Sequence, residues 1–220
     1  MRPTVDQLHT SGRYVLIESF AIDEMSQFLL RELGMAPRTD QQSTKRGPQR
    51  WLFLATLALI GGVVGYAGGS LLKDQPEGKG VESFLWQIGA AFIGFFALLP
   101  IHEFIHGLAF KRVGAPKVGY GYSLKSLMVY AYSQNFPTTM REVALVAGMP
   151  FLIITAGLIV GWVLLPSYAL FWGLLLLIHT SGCIGDFVLI NYHRKNHHRT
   201  IYTYDDVEGE RRTYFFEEVG

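Results

Sequence analysis

The sequence predicts a mainly α membrane protein with four transmembrane helices, a small β-hairpin between the second and third helices, and short soluble α+β termini. Composition is one reason: of 220 residues, 50% are hydrophobic and only 17% are charged, and the mean hydropathy of +0.23 is high for a soluble domain. The other reason is that four apolar stretches each reach the roughly 20 residues that a helix needs to cross a hydrocarbon core. These stretches span about 51–72, 84–110, 142–165 and 168–191.

The distribution of lysine and arginine predicts how these helices are oriented. Seven basic residues precede the first stretch, two lie between the first and second, five between the second and third, none between the third and fourth, and five follow the fourth. Because basic loops stay on the cytoplasmic side, this alternation predicts a multi-pass cell-membrane protein with both termini in the cytoplasm. We therefore expect a cytosolic N-terminal segment and linker (1–50), a four-helix transmembrane core (51–191) and a cytosolic C-terminal tail (192–220).

Charge and cysteine content exclude several classes of protein. The formal net charge of +1, with no stripe of basic residues among aromatic ones, argues against a nucleic-acid partner. The single cysteine, Cys183, excludes a disulfide framework and a cysteine-rich metal site, so metal ligands are expected among His, Asp and Glu. The first residues lack the apolar run of a cleavable signal peptide, so we expect membrane insertion to begin with the first internal span.

The first 50 residues have the pattern of a small cytosolic appendage. Residues 13–20 favour a β-strand, and Asp23 is expected to cap a short amphipathic helix that runs to Leu33 and is closed by Gly34. Residues 36–50 are rich in Gln, Thr, Pro and basic side chains, a composition typical of linkers. No pattern in this region indicates a catalytic or binding site.

Three further patterns lie within or between the apolar stretches. Five glycines between 61 and 69 have the small-xxx-small spacing that lets another helix approach closely. The alternation on both sides of Lys125 and Ser126 predicts a β-hairpin over 118–132. This hairpin is either a simple cytosolic turn or an edge strand beside the metal, to which an extended peptide substrate adds by backbone hydrogen bonds. Pro150 in the third stretch frees a backbone carbonyl, either as an ordinary kink of a membrane helix or to shape a water-accessible cleft.

The C-terminal tail begins with a basic cluster at 193–199, which is typical of an anchor that contacts lipid headgroups at the bilayer surface. Two β-favouring segments, 200–204 and 211–216, flank an acidic turn. They predict a terminal hairpin.

A His-Glu-x-x-His motif lies inside the second apolar stretch. Residues four apart share a helix face, so His102 and His106 can offer two imidazole nitrogens to one zinc ion, and Glu103 can deprotonate a water molecule. Each ionisable group in such a segment costs on the order of 2.5–3.5 kcal/mol to insert, so three together are hard to explain without a ligand. The alternative is a pair of buried histidines beside an incidental glutamate.

A carboxylate lies at a matching depth in the fourth stretch. Counted back at 1.5 Å per residue from the basic residues that follow each span, the histidine pair lies about 10 Å deep and Asp186 about 12 Å. Asp186 is therefore the expected third ligand. His179 and Cys183 share its helix face and are rival candidates, displaced along the axis by roughly 10 Å and about 4–5 Å. The alternative role for Asp186 is pairing with a basic residue near the interface.

Two histidines and one aspartate would leave the fourth zinc position open, as in catalytic rather than structural zinc sites. The expected reaction is hydrolysis of a peptide bond: zinc polarises the carbonyl and lowers the pKa of water, while Glu103 takes the proton and passes it to the leaving amine. A helix hides its backbone in its own hydrogen bonds, so a membrane protein or peptide substrate would have to unwind locally. Water would enter from the cytosolic side.

These residues resemble the intramembrane zinc metalloproteases of the site-2 protease type. They are still more similar to a bacterial family of uncharacterised membrane proteins described as putative zincin peptidases. The resemblance covers about 84–191 and rests on the His-Glu-x-x-His motif, the tyrosine-containing hairpin, a Gly-x-Pro element at 148–150 and a Gly-Asp pair at 185–186. It implies one zinc cofactor, Glu103 as the catalytic residue, and as metal ligands His102, His106 and Asp186.

Two other functions fit parts of the sequence. The histidine pair of the motif, together with His193, His197 and His198, resembles the histidine boxes of membrane di-iron desaturases and hydroxylases. That class would bind two irons, and it leaves the glutamate and the aspartate unexplained. The remaining alternative is a non-catalytic metal-binding membrane adaptor that holds a partner with its cytosolic ends.

Overall fold

A computed structural model describes residues 2–35, 79–124 and 128–219, together with positions 58, 61–62, 65–66 and 69. The described part of the chain is mostly helical with small antiparallel sheets, as the sequence predicts. In chain order its elements are α1 (Val5–Thr10), β1 (Tyr14–Ala21), α2 (Met25–Glu32), α3 (Lys79–Arg112), β2 (Val118–Ser123), β3 (Met128–Ser133), β4 (Thr138–Thr139), α4 (Met140–Leu164), α5 (Ala169–Gly182), α6 (Ile184–Lys195), β5 (Ile201–Asp206) and β6 (Arg212–Glu218).

Among the described residues, two helices are long and apolar enough to cross a membrane, α3 from Gly80 onward and the whole of α4. They correspond to the second and third predicted spans and indicate association with a membrane. The fourth predicted span is divided into α5 and α6 by a break at Cys183, and this pair makes a third crossing if it forms one broken span. The first predicted span, 51–72, lies outside the described residues apart from isolated positions, so the number of four spans stays a prediction.

The chain divides into two compact units. The first unit comprises Met1–Thr39, His102–Pro150 and Gly185–Gly220, and the second unit comprises Asp40–Ile101 and Phe151–Ile184. Both α3 and α4 therefore contribute residues to each unit. The three-part domain division drawn from the sequence stays a prediction.

A four-stranded antiparallel sheet organises the first unit, with the strand order β1-β6-β5-β4. β5 and β6 form the predicted C-terminal hairpin. β1, predicted at residues 13–20, pairs along β6 with an irregularity between Leu16 and Glu18. The N-terminal and C-terminal segments of the chain thus share one sheet.

The core of the first unit is aromatic and includes α6. Phe28 of α2 stacks against Phe20 of β1 and Phe215 of β6, with ring centroids 5.0 and 5.7 Å apart. Tyr192 of α6 meets Phe215 edge-on at 5.6 Å. Large rings packed in this way contribute strongly to stability through the area they bury and their favourable ring geometry. The sheet therefore holds α6 in place.

Arg2 ties the N-terminus to the end of α3 and the start of α4. Its guanidinium donates to the Val113 carbonyl at 3.2 Å, forms an ion pair with Glu142 and lies 4.0 Å from the centroid of the Phe136 ring. Glu142 also accepts a hydrogen bond from the Thr139 N–H at 2.8 Å, at the first turn of α4, where backbone donors lack helical partners. One residue near the N-terminus thus contacts both helix ends.

The predicted helix cap at Asp23 was wrong. A short 3-10 turn precedes α2, and the carboxylate of Glu24 accepts a hydrogen bond from the Ala21 N–H at 3.2 Å. Asp23 instead accepts a hydrogen bond at 2.7 Å from Ser123, the last residue of β2. Gly34 follows α2 with a positive φ of 70°, the left-handed conformation that often ends helices, as predicted.

β2 and β3 pair in antiparallel register and form the predicted hairpin, of which loop residues 125–127 lie outside the described part. Gly119 and Gly121 face Tyr132 and Tyr130 across the strands, and a Cβ at either glycine would overlap the opposite ring. The two glycines therefore leave space for the tyrosines. Burial raises the pKa of both phenols, so they stay uncharged at neutral pH.

A buried glutamine links α3 to α5 within the second unit. Gln87 is 1% exposed; its carbonyl accepts from the Phe171 N–H at 3.1 Å, and its amide donates to Ser83 at 3.2 Å. Phe171 lies in the first turn of α5, so this bond satisfies a backbone donor that the helix leaves open. Gly94 of α3 faces Leu175 of α5, which allows the two helices to pack closely.

Candidate metal centre

α3 presents His102 and His106 on one face, one turn apart, as the i, i+4 spacing predicts. Their Nε2 atoms lie 3.0 Å apart, and the two rings are nearly perpendicular at 81°. The side chains are 14% and 12% exposed. Both imidazoles are therefore largely withdrawn from solvent and retain a small exposed fraction.

Asp186 of α6 completes a triangle with the two histidines. Its Oδ2 lies 3.2 Å from Nε2 of His102, and its Oδ1 lies 3.3 Å from Nε2 of His106. All three residues belong to the first unit, whose aromatic core holds α6. The carboxylate thus faces the two imidazoles, which differs from the alternative in which it pairs with a lysine or arginine near the interface.

The spacing of these ligand atoms fits a zinc ion. Zinc bonds of about 2.0–2.1 Å at tetrahedral angles place neighbouring ligand atoms about 3.3–3.4 Å apart. The two imidazole nitrogens lie 3.0 Å apart, and each lies 3.2–3.3 Å from a different oxygen of Asp186. A small adjustment would therefore bring one carboxylate oxygen to the position that a shared ion requires. Two imidazoles and a carboxylate are also donor types found in catalytic zinc sites, where three protein ligands leave one position for water or substrate.

Glu103 is held beside the histidines by the hairpin. Its Oε2 accepts a hydrogen bond from the Ala131 N–H of β3 at 2.7 Å. Close approach of the hairpin to α3 depends on Gly107, because a Cβ at this position would overlap the side chain of Tyr120 in β2. An ionised carboxylate has about four acceptor positions, so this one bond leaves Glu103 able to take a proton. Sequence patterns indicated a hairpin strand beside the metal as one of two alternatives, but the hydrogen bond between Ala131 and Glu103 was not predicted.

His106 is oriented by a backbone carbonyl of α4. Its Nδ1 lies 3.1 Å from the carbonyl oxygen of Val146. A carbonyl oxygen only accepts hydrogen bonds, so Nδ1 carries the proton and the neutral ring presents an unprotonated Nε2 to the triangle. Val146 was not recognised from the sequence. Pro150 indicated that this helix has a free backbone carbonyl, but it did not indicate that His106 is the hydrogen-bond donor to that carbonyl.

The rival ligands His179 and Cys183 belong to the second unit. Both are buried, with Sγ of Cys183 at 3.8 Å from Nε2 of His179 and the imidazole stacked against Phe151. Each therefore has packing partners in its own unit.

The C-terminal histidines do not assemble a di-iron shell with the motif in the described part of the chain. His197 and His198 are exposed, and Nδ1 of His197 lies 2.9 Å from the Arg194 carbonyl oxygen. None of His193, His197 and His198 joins a close group of metal-ligating atoms among the described residues. This arrangement does not favour the desaturase-like alternative.

Residues 95–201 match the model of a protein family described as "Putative zincin peptidase". The matched segment includes the histidine motif, the β2–β3 hairpin, Val146 and Asp186. Comparison with curated proteins gives no match, and comparison with solved structures gives none either. Over residues 95–201 the chain is therefore similar to the zincin peptidases, and this similarity indicates a metallopeptidase.

Proposed function

We propose that this protein is a zinc-dependent intramembrane peptidase of the site-2 protease type that hydrolyses a peptide bond in a membrane-associated substrate. The observation that carries the proposal is the triangle of His102, His106 and Asp186, with Glu103 on the same turn as the histidines. The imidazole nitrogens lie 3.0 Å apart, and each lies 3.2–3.3 Å from one oxygen of the aspartate. Two imidazoles and a carboxylate that converge in this way are a donor set of catalytic zinc sites, whereas packed core histidines would be adequately surrounded by apolar side chains.

The roles of the side chains follow from their positions. Bound zinc supplies Lewis acidity, which strengthens water as a nucleophile and polarises the scissile carbonyl. Glu103 accepts the proton of the attacking water on a carboxylate oxygen as the new C–O bond forms, and it returns this proton to the amine nitrogen as the C–N bond breaks. Ala131 keeps the carboxylate in place through its N–H, and Val146 keeps the His106 ring in place.

The site lies within an apolar helix, close to its basic end. His106 precedes Lys111 and Arg112 at the end of α3, and α3 has the length and hydropathy of a membrane span. With that end at the cytoplasmic surface, as the positive-inside rule predicts, water would reach the catalytic groups from the cytosol. The bilayer would therefore confine the enzyme to substrates that enter the membrane or its surface.

The second edge of β3 is the proposed docking place for the substrate. Ala131 lies opposite Tyr120 and donates its N–H to Glu103, so this N–H points away from β2. In an antiparallel pair alternate residues point the same way, so the N–H of Val129 is directed to the same edge. An extended peptide that adds to this edge would run past the Glu103 carboxylate with its backbone exposed for attack.

Replacing Val129 by Pro should weaken substrate binding at this edge. Proline removes one backbone donor, and its loss should raise KM several-fold while kcat and zinc content change little. Steady-state kinetics on a cleaved peptide measure both constants. Val129→Ala keeps the N–H and is the matched control. An equal loss in the two variants would contradict docking through the backbone.

The direct test of the proposed function is metal-dependent cleavage by the purified full-length protein. In detergent, it should cleave members of a panel of single-span membrane peptides, lose this activity with a zinc chelator and regain it when one equivalent of zinc is returned. Mass spectrometry identifies the cleaved bond. Activity that persists in chelator, or a purified protein that binds no zinc, would overturn the proposal.

A further inference from the structure

We propose that Pro150 is a positioning residue of the metal centre: because it lacks an N–H, it leaves the Val146 carbonyl free to receive the Nδ1 proton of His106. The inference rests on the proposed function for the role of the site, but it concerns a separate device within α4. The internal proline of α4 thereby helps to orient a metal-binding histidine.

Pro150 interrupts the hydrogen-bond pattern of α4. In an α-helix the N–H of a residue bonds the carbonyl four positions earlier, so residue 150 would normally occupy the carbonyl of residue 146. Proline has no N–H and its ring crowds that carbonyl, so the bond is absent. α4 nevertheless continues from Met140 to Leu164 through Pro150. One carbonyl in the interior of this helix is thus left for another donor.

The Val146 carbonyl lies in a buried part of the protein, next to His106. Val146 is only 4% exposed, so an unpaired carbonyl here would be costly to bury. Nδ1 of His106 lies 3.1 Å from its oxygen and supplies the missing hydrogen bond. The Val146 carbonyl and the His106 N–H, 40 positions apart in the sequence, therefore satisfy each other's hydrogen-bonding requirement.

The hydrogen bond at Nδ1 determines the protonation of Nε2, the nitrogen of His106 that would bind the metal. With the proton fixed on Nδ1, the neutral ring has its lone pair on Nε2, the atom that faces His102 and Asp186. Without this partner the ring would populate the other tautomer, which carries a proton on Nε2 where a metal would bind. Outer partners of metal-binding histidines act in this way, and their removal typically lowers metal affinity about 10- to 100-fold.

The test is Pro150→Ala in the full-length protein. Alanine restores an N–H that competes for the Val146 carbonyl, so the dissociation constant for zinc should rise about 10- to 100-fold. In the metal-free protein, and in an Asp186→Ala background so that no carboxylate draws a second proton to Nε2, nitrogen NMR of labelled histidine should show His106 in the Nδ1–H tautomer when Pro150 is present and in a mixture of tautomers with Pro150→Ala. The tautomer is a readout that a change in stability alone would not move.

Two further variants separate the N–H from the proline ring. Gly148→Ala alters the same turn, where a Cβ would meet only Ile190 at 3.8 Å, and retains the proline, so zinc affinity and tautomer should stay as in the wild type. An ester in place of the 149–150 peptide bond in Pro150→Ala removes the added N–H again and should restore both. Wild-type zinc affinity and an unchanged tautomer in Pro150→Ala would overturn the proposal.

The outcomes also distinguish this inference from the proposed function. The tautomer is measured without metal, so it tests the role of Pro150 even in a protein that hydrolyses no peptide. A zinc-binding protein whose tautomer responds to Pro150→Ala, yet which shows no peptidase activity, would support the positioning role and contradict the proposed reaction.

Discussion

Replacing Glu103 by Gln should abolish peptide hydrolysis and leave zinc bound. Glutamine has nearly the same size, and its amide oxygen can still accept the Ala131 N–H that now bonds the carboxylate. It cannot take a proton from water, so kcat should fall by at least about 10²–10⁴, the usual contribution of a general base. Rates of peptide cleavage and metal analysis of the same sample measure the two effects.

This substitution separates an enzyme from a membrane adaptor. An adaptor that uses the metal only to hold its fold should retain its function in Glu103→Gln, since neither ligand nor backbone contact is lost. Glu82→Gln is the control, because Glu82 lies in the first turn of the same helix and outside the metal centre. Hydrolysis at the wild-type rate in Glu103→Gln would contradict the assigned role.

Replacing Asp186 by Ala should remove zinc from the protein. In the proposed zinc site the carboxylate would be one of three protein ligands, and its two oxygens lie 3.2 and 3.3 Å from the two imidazole nitrogens. Its loss leaves two neutral histidines, too few to retain the ion through purification, so metal content should fall from about one zinc per chain to near zero. His106→Ala should have the same effect. Elemental analysis of the purified proteins measures it.

The matched controls are the rival ligands in the second unit. His179→Ala and Cys183→Ala should retain zinc, because the triangle in the first unit already supplies three ligands. Zinc loss in either of these variants, with retention in Asp186→Ala, would reverse the assignment of the third ligand. The same elemental analysis decides the di-iron alternative, which requires two irons per chain.

Much of the fold could be predicted because the relevant patterns are local. The apolar lengths of α3 and α4, the alternation in β2 and β3 and the β-favouring segments of β5 and β6 are properties of neighbouring residues. Each appears in the structure close to its predicted position. The break at Cys183 was not predicted, because the segment around it contains no proline and average hydropathy does not register a change of helix direction.

The cap at Asp23 shows why a local signal can mislead. Aspartate before an amphipathic segment is a common helix start, but its carboxylate bonds Ser123, which lies 100 positions away. The neighbouring Glu24 carboxylate accepts instead from the N–H of Ala21, which precedes the helix. When a side chain has several possible hydrogen-bond partners, the tertiary structure decides which of them it contacts. Local sequence patterns contain no information about such distant partners.

The sequence by itself determined that His102 and His106 share a helix face, that Glu103 adjoins them, and that Asp186 lies at a similar depth. These follow from helix geometry and from the cost of ionisable groups in apolar segments. Only the tertiary structure decided that Asp186 reaches both imidazoles, that Ala131 holds Glu103 across 28 positions, and that Val146 orients His106 across 40. The reason is physical: hydrogen bonds to backbone groups depend on where distant segments meet, and every residue type except proline offers the same N–H and C=O.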